Sequence, residues 1–275
     1  MAKRITALLL AVFLLGALCA CDPNTDDFVF TGQELVNNED YMIRISSVEM
    51  DEFQGYVATV QIENKTQFGL VCSVVNGALN GCMCDPHWEE SVSAGELVIS
   101  QIVFEAKDLQ GYGIEEVSKI DLVIGITPED DPEGTLLQEQ FTVYPMSEAA
   151  AQVTKRPSAK TDIVISDNEY CKVTVTGKDP ESFWGYDLYV YVENKTDKTL
   201  MLRAQGVGVN GIPCDPYWIC TVLPGTCSNT TAYWFTDRLE AAGITQVDRI
   251  EMTLTVQDCE NWTDGLLYSE QITLE

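Results

Sequence analysis

An all-β fold of two tandem sandwich domains is what the sequence predicts, on three observations. The chain of 275 residues repeats itself: NGCMCDPHW, Asn80 to Trp88, returns as NGIPCDPYW, Asn210 to Trp218, with six of nine residues unchanged at an offset of 130. Several segments alternate apolar and polar residues with a period of two, the pattern of a half-buried strand. The repeat unit, roughly 110 residues, is too long for a solenoid and has the size of one immunoglobulin-like β-sandwich domain.

The chain opens with Lys3 and Arg4 ahead of an apolar run from Ile5 to Leu18. A spanning helix needs about 20 apolar residues, so this run reads as a leader covering residues 1–20. Leu18-Cys19-Ala20-Cys21 resembles the bacterial lipobox, in which an aliphatic residue stands three places before the modified cysteine. That resemblance implies cleavage before Cys21 and diacylglycerol on its sulfur. Each buried methylene of such chains contributes about 0.8 kcal/mol of membrane affinity. The expected location is the extracytoplasmic face of the cell membrane, lipid-anchored without spanning. Residues 21–36, polar after the cysteine, read as a tether.

The first repeat is placed at 37–145. Tyr56, Ala58, Val60 and Ile62 alternate with Val57, Thr59, Gln61 and Glu63, and Ile120, Leu122, Ile124 and Ile126 mark a second such strand. Further strands are expected near 41–50, 68–75, 77–84, 97–105 and 136–144, with a helical turn near 107–116. About seven strands in this length make a sandwich. Residues 146–162 lack alternation, hold Lys155, Arg156 and Lys160 with Pro157, and read as a linker. The second repeat, 163–275, repeats the pattern with Tyr186, Leu188, Val190 and Val192, and with Ile250, Met252, Leu254 and Val256. Glu63-Asn64-Lys65-Thr66 matches Glu193-Asn194-Lys195-Thr196, and Gly113-Ile114 matches Gly243-Ile244.

The twice-written phrase reads as a structural device. Asn80-Gly81 and Asn210-Gly211 are the two-residue hairpin signal, because a type I′ turn needs positive φ at both positions. Asp85-Pro86 and Asp215-Pro216 end the strand, Asp by bonding its downstream backbone and Pro by lacking a donor. Trp88 and Trp218 are expected as apolar plugs at the sandwich ends. The alternative is that the two tryptophans line a binding surface.

Glu193 to Lys198, Val209-Asn210-Gly211 and Leu239-Glu240-x-x-Gly243-Ile244 together resemble a domain of uncharacterised secreted or lipid-anchored proteins of anaerobic Gram-positive bacteria. The resemblance covers the second repeat well and the first more loosely, where Gln67-Phe68 replaces Asp-Lys. It implies an extracytoplasmic location and this fold, and assigns no catalytic residue.

Acidity excludes one partner class. Sixteen Lys and Arg stand against 43 Asp and Glu, a net charge of −27, and removal of Lys3 and Arg4 with the leader makes the remainder more negative. Nucleic acid rewards clustered cations through counterion release, so no nucleic-acid partner is expected. An extracytoplasmic protein or a glycan fits the charge, and Trp184, Trp218, Trp234 and Trp262 are the candidates for stacking on sugar.

Eight cysteines remain beyond the leader and the lipid site: Cys72, Cys82, Cys84, Cys171, Cys214, Cys220, Cys227 and Cys259. Outside the cytosol they are disulfide candidates. Three in the first repeat and five in the second cannot all pair within their own domains, so either one bridge joins the domains or two thiols stay free. Cys171 with Cys259, and Cys220 with Cys227, are the pairings that spacing suggests without proving. Cys82-x-Cys84 with His87 and Cys72 also fits a soft-metal site. Its second copy has Ile212 and Tyr217 at two of those positions, which speaks against it.

Glu129, Asp130, Asp131 and Glu133 crowd one loop, and Asp258, Glu260, Asn261 and Asp264 crowd its counterpart. Such oxygen donors suit calcium, though the spacing is not that of an EF-hand and the plainer reading is a turn with solvated charges; no other cofactor is expected. His87 is the only histidine, with no nucleophile marked beside it and no phosphate-binding or zinc-protease motif in the chain. The Asn-x-Ser/Thr triplets at Asn64 and Asn194 read as turn residues between strands. The reading is a non-enzymatic lipid-anchored interaction or display module, with a glycan- or cell-wall-binding lipoprotein and a calcium- or soft-metal-binding protein as alternatives.

Overall fold

The computed structural model describes residues 29–261 and 264–275; the leader, Cys21 and Trp262 lie outside the described residues. The first repeat runs β1 (Gln33–Asn37), β2 (Tyr41–Asp51), β3 (Gly55–Asn64), β4 (Leu70–Leu79), β5 (Cys82–Cys84), β6 (Glu89–Val92), β7 (Leu97–Glu105), α1 (Ala106–Tyr112), β8 (Ile120–Pro128) and β9 (Leu137–Val143). The second runs β10 (Ile163–Asp167), β11 (Cys171–Ser182), β12 (Gly185–Asn194), β13 (Leu200–Val209), β14 (Ile212–Pro213), β15 (Ile219–Val222), β16 (Cys227–Phe235), α2 (Thr236–Ala241), β17 (Ile250–Asp258) and β18 (Leu266–Leu274).

Each repeat is a sandwich because alternation gives each sheet one apolar face. In the first, β1-β2-β3-β7 form one sheet, and β4 carries β5, β6 and β8 in the other, with β9 outside β8. Ile43, Ile45, Val60, Ile62, Ile102 and Phe104 meet Leu70, Leu79, Ile120, Leu122, Ile124 and Ile126 in a closed core. In the second repeat, β10-β11-β12-β16 face β18-β17-β13 with β14 and β15, around Val190, Val192, Leu200, Leu202, Leu254, Val256 and Trp234. At about 1.5–3 kcal/mol for each large side chain removed from water, these two cores dominate the stabilisation.

Two expectations need correction. Residues 33–36, assigned to the tether, belong to β1, which pairs with β2 through a bulge between Glu34 and Val36. The offset of 130 carries the same strand to β10, which has the same bulge against β11. The strands expected at 68–75 and 77–84 are instead one strand, β4, bulged between Val74 and Asn76 and followed by the short β5. The Asn80-Gly81 turn breaks the expected 77–84 segment, since a strand cannot run through a two-residue hairpin.

The Glu-Asn-Lys-Thr turns hold strand ends through one buried side chain each. Asn194 Nδ2 donates to the carbonyls of Lys198, Val222 and Leu223 at 2.7, 3.0 and 2.9 Å, and its Oδ1 accepts from Thr196 N and Oγ1. Asn64 does the same with Phe68, Val92 and Thr66. The asparagine ties three chain segments together where the sheet ladder stops.

The two sandwiches share a sheet. Strand β16 pairs in parallel with β5, Cys227 opposite Cys82, and joins the β10-β11-β12-β16 sheet to the β5-β4-β8-β9 sheet. Cys227 N donates to Gly81 O at 2.8 Å, and Asn229 N to the Tyr112 hydroxyl at 2.7 Å. Tyr191 and Cys227 pack into the first core, while Met83 packs against the second. The segment between β9 and β10 follows this seam. Thr154 N donates to Asn80 O, and Arg156 lies over the Tyr191 ring while forking onto Asp162 at 2.7 and 2.8 Å.

Candidate functional site

The repeated phrase sits at the mouth of each sandwich. Asn80 and Gly81 have φ of 49° and 77°, Asn210 and Gly211 of 53° and 80°, as a type I′ turn requires. The asparagines do more than tolerate this backbone. Asn80 Oδ1 accepts from Ser118 N and Lys119 N, and its Nδ2 donates to Glu116 O. Asn210 repeats this with Asp248, Arg249 and Gln246. Each turn is therefore tied to the loop before the strand that pairs with its own, β8 for Asn80 and β17 for Asn210, a role the Asn-Gly pair alone does not reveal.

Trp88 and Trp218 are both buried to 8% exposure within their cores, so neither presents a binding face. Their polar ends differ: Trp88 Nε1 donates to Ser100 Oγ at 3.1 Å, whereas Trp218 Nε1 is buried with no partner. Pro86 is buried, and Asp215 accepts from Val207 N upstream of it, where a downstream bond was expected. Asp85 is exposed and pairs with an equally exposed His87 at 3.6 Å.

In this structure the eight cysteines are not bonded to one another. Cys72 lies in the first core, Cys171, Cys214 and Cys220 in the second, and Cys259 is half-buried near Asp258 and Arg203. The pairing suggested for Cys220 and Cys227 is not formed: Cys227 Sγ stands 3.5 Å from Cys82 Sγ, and Cys220 lies in the second core. Burial pushes the Cys72 and Cys84 thiols up to about 12 and that of Cys220 to about 11.

Among the described residues no group of three or more His, Cys, Asp and Glu is arranged to hold a metal ion. His87 is exposed, whereas Cys82 and Cys84 are buried. In the second acidic loop, Asp258 is buried and already neutralised by Lys198 at 2.5 Å, with Glu260 N donating to it. An open cleft of about 390 Å³ at the seam is lined by Met83, Asp85, Asp108, Tyr112 and Cys220 among others. Asp108 is raised by burial, and it accepts the backbone N–H of Asp85, a fold-holding bond.

The most distinctive surface feature is an aromatic ridge on the second repeat. Phe183 and Trp184 sit at the β11–β12 turn, 89% and 64% exposed, edge to face at 4.8 Å. Trp184 continues to Phe235 at 6.5 Å, Phe235 to Tyr233 at 5.1 Å, and Tyr233 to Tyr217 at 5.1 Å. Alternation in β16 explains half of this: Ala232 and Trp234 point into the core, so Tyr233 and Phe235 point out. Tyr217 is clipped to the strand edge by reciprocal backbone bonds with Tyr233. Gly185 brings the turn against β16, where a Cβ would lie 2.1 Å from Trp234 O.

The first repeat has no such ridge. Positions matching Trp184, Tyr217, Tyr233 and Phe235 are Gln54, His87, Val103 and Glu105, and Glu105 pairs with Lys107 at 2.5 Å. Composition and spacing missed the ridge because its rings come from three separated segments. Phe183 matches Phe53, which is also exposed, so the repeat alignment held the signal at three positions, where Trp184, Tyr217 and Phe235 stand against Gln54, His87 and Glu105.

No protein-family model matches the chain, and no curated protein matches it in sequence. Among solved structures, the YadV chaperone matches at 13% identity over 86% of this chain and 100% of its own, with a TM-score of 0.23. The Salmonella enterica SafA pilin in complex with the SafB chaperone matches at 13% identity over 87% and 98%, with a TM-score of 0.21. At these scores neither likeness carries weight for function.

Proposed function

We propose that this protein is a non-enzymatic, lipid-anchored interaction module on the extracytoplasmic face of the membrane, and that the aromatic ridge of its second domain is the contact surface for a protein partner. The ridge carries the reading: five adjoining rings, three of them mostly exposed, stand on one copy of a duplicated fold whose other copy keeps only the exposed Phe53 and has Gln54, His87, Val103 and Glu105 at the remaining positions. Tyr, Trp and Phe are the residues enriched at the centres of protein interfaces. The ring geometry favours protein over glycan. Stacking a sugar across neighbouring rings wants a coplanar pair, whereas Phe183 with Trp184 and Tyr233 with Phe235 meet at 84° and Tyr217 with Tyr233 at 36°. Trp218 and Trp234 are buried.

Affinity capture from the native cell envelope tests this, with residues 22–275 as bait beside a Trp184→Ser/Tyr217→Ser variant. The expected result is a specific protein partner lost by the variant while its thermal unfolding stays unchanged. Capture that survives the double substitution, or binding only to isolated cell-wall glycan, overturns the assignment.

A further inference from the structure

We infer that Cys82 and Cys227 are joined by a disulfide that crosslinks the two domains at their shared sheet. The two residues face each other across the only strand pair described between the domains, with Sγ atoms 3.5 Å apart and the backbone closed by Cys227 N to Gly81 O. Adjacent strands run about 4.7–4.9 Å apart, within the Cα separation of about 4.4–6.8 Å that a disulfide spans. Bonding needs the sulfurs to approach to about 2 Å, which side-chain rotation supplies without moving either strand.

The repeat supports the pairing independently of the distance. Cys82 matches Ile212, and Cys227 matches Leu97, so each copy carries a cysteine on the edge it turns toward the other and an aliphatic residue where it does not. Ile212 and Leu97 are both exposed. A packing requirement alone would be met by Ile and Leu at the seam as well. The competing partners are worse placed: the Cys84 thiol is directed at Cys82 O, and Cys220 lies in the second core beside Cys171. This pairing also resolves the odd numbers, three and five, in the two domains.

The oxidant is an external disulfide, such as that of a thiol–disulfide oxidoreductase or oxidised glutathione. One cysteine, as its thiolate, attacks a sulfur of that disulfide and expels one thiolate. The second then attacks the resulting mixed disulfide and expels the other. Two protons leave the protein, two electrons pass to the oxidant, and the products are one protein disulfide and two external thiols. Cys82 and Cys227 are 0% and 5% exposed, so the first exchange takes place before the seam closes. Closure then shields the bond from reductant.

Trypsin reads the crosslink directly, because Lys160 is exposed between β9 and β10. The full chain, refolded with oxidised glutathione and cut after Lys160, is expected to run as one band without reductant and as two with it. Cys82→Ser and Cys227→Ser each separate the fragments without reductant, whereas Cys84→Ser and Cys220→Ser leave them joined. If a seam variant does not fold, the wild-type map decides alone: cyanogen bromide cuts after Met83, between Cys82 and Cys84, and tandem mass spectrometry then assigns the partner of Cys227. Fragments that part without reductant, or a map that joins Cys82 to Cys84 or Cys227 to Cys220, overturn the inference. The ridge plays no part in this outcome.

Discussion

Trp88 and Trp218 offer a controlled comparison, because a duplicated fold places the same side chain at equal burial in two settings. Both are 8% exposed, so truncation to phenylalanine removes the same atoms from equivalent sites, and the common cavity and transfer loss is roughly 1–2 kcal/mol. The polar ends separate them. Trp88→Phe also deletes the bond from Nε1 to Ser100 Oγ, a net loss of about 1 kcal/mol. Trp218→Phe deletes a buried N–H that has no partner, and removing an unsatisfied buried donor regains about 1–3 kcal/mol. The first variant is expected to be the less stable by about 2–4 kcal/mol, and Trp218→Phe to be near neutral. Urea unfolding of the full chain, followed by far-UV circular dichroism so that the missing indole does not alter the probe, measures both. Equal losses, or a larger loss at Trp218, refute the claim that hydrogen bonding distinguishes the two sites.

Two further outcomes follow from the turns and the linker. Asn194→Ala leaves three carbonyls and the Thr196 donors without their partner, and a loss of about 2–4 kcal/mol is expected in the same urea assay; Asn194→Asp, which turns an oxygen toward those carbonyls, is expected to be no better at pH 7 and to recover partly in acid as the carboxyl gains a proton. Asp162 is held down to about 2, first by the Arg156 guanidinium and then by Ala159 N–H. A depressed carboxyl stabilises the fold fully above its ordinary value of 3.8 and loses that contribution as pH falls toward 2. Arg156→Met should therefore return the Asp162 titration, followed by carboxyl NMR, toward the ordinary value, and an unchanged midpoint would remove Arg156 as the cause.

The sandwich was legible because burial on one face writes itself into strands as period two. The repeat then doubled every signal: Tyr56 to Ile62 and Tyr186 to Val192 are the same strand read twice. Strands β1 and β10 were harder, since their half-buried faces and the bulges after Glu34 and Val164 break alternation. The turns were legible as turns, because only a few residues accept positive φ. What they bind, Ser118 and Lys119 for Asn80 or Asp248 and Arg249 for Asn210, is tertiary and has no local mark. The seam lay beyond single-copy reading for the same reason, because Cys82 and Cys227 are 145 residues apart. Comparing the copies narrows the gap, since positions that changed character between two versions of one fold are those released from the common core.

That comparison also links the seam to the ridge. Both are built on β16: its first residue, Cys227, pairs with the first domain, and its last two outward residues, Tyr233 and Phe235, carry the aromatic rings. Six residues of strand at about 3.3 Å each separate the two features by roughly 20 Å along one strand. The equivalent edge of β7 in the first domain carries neither, and leaves Leu97 and Ile99 in solvent. A rotation of the domains about the seam would swing the ridge relative to the first domain. The single β16–β5 pair, with Cys227 N donating to Gly81 O, opposes such a rotation, and the Arg156–Asp162 fork over Tyr191 braces it from the linker side. A covalent Cys82–Cys227 bond at the hinge point would hold the ridge in one orientation even where reversible contacts breathe. Interfaces gain affinity when their contact residues are ordered beforehand, so a seam that fixes β16 would favour the recognition proposed for the ridge without touching the partner.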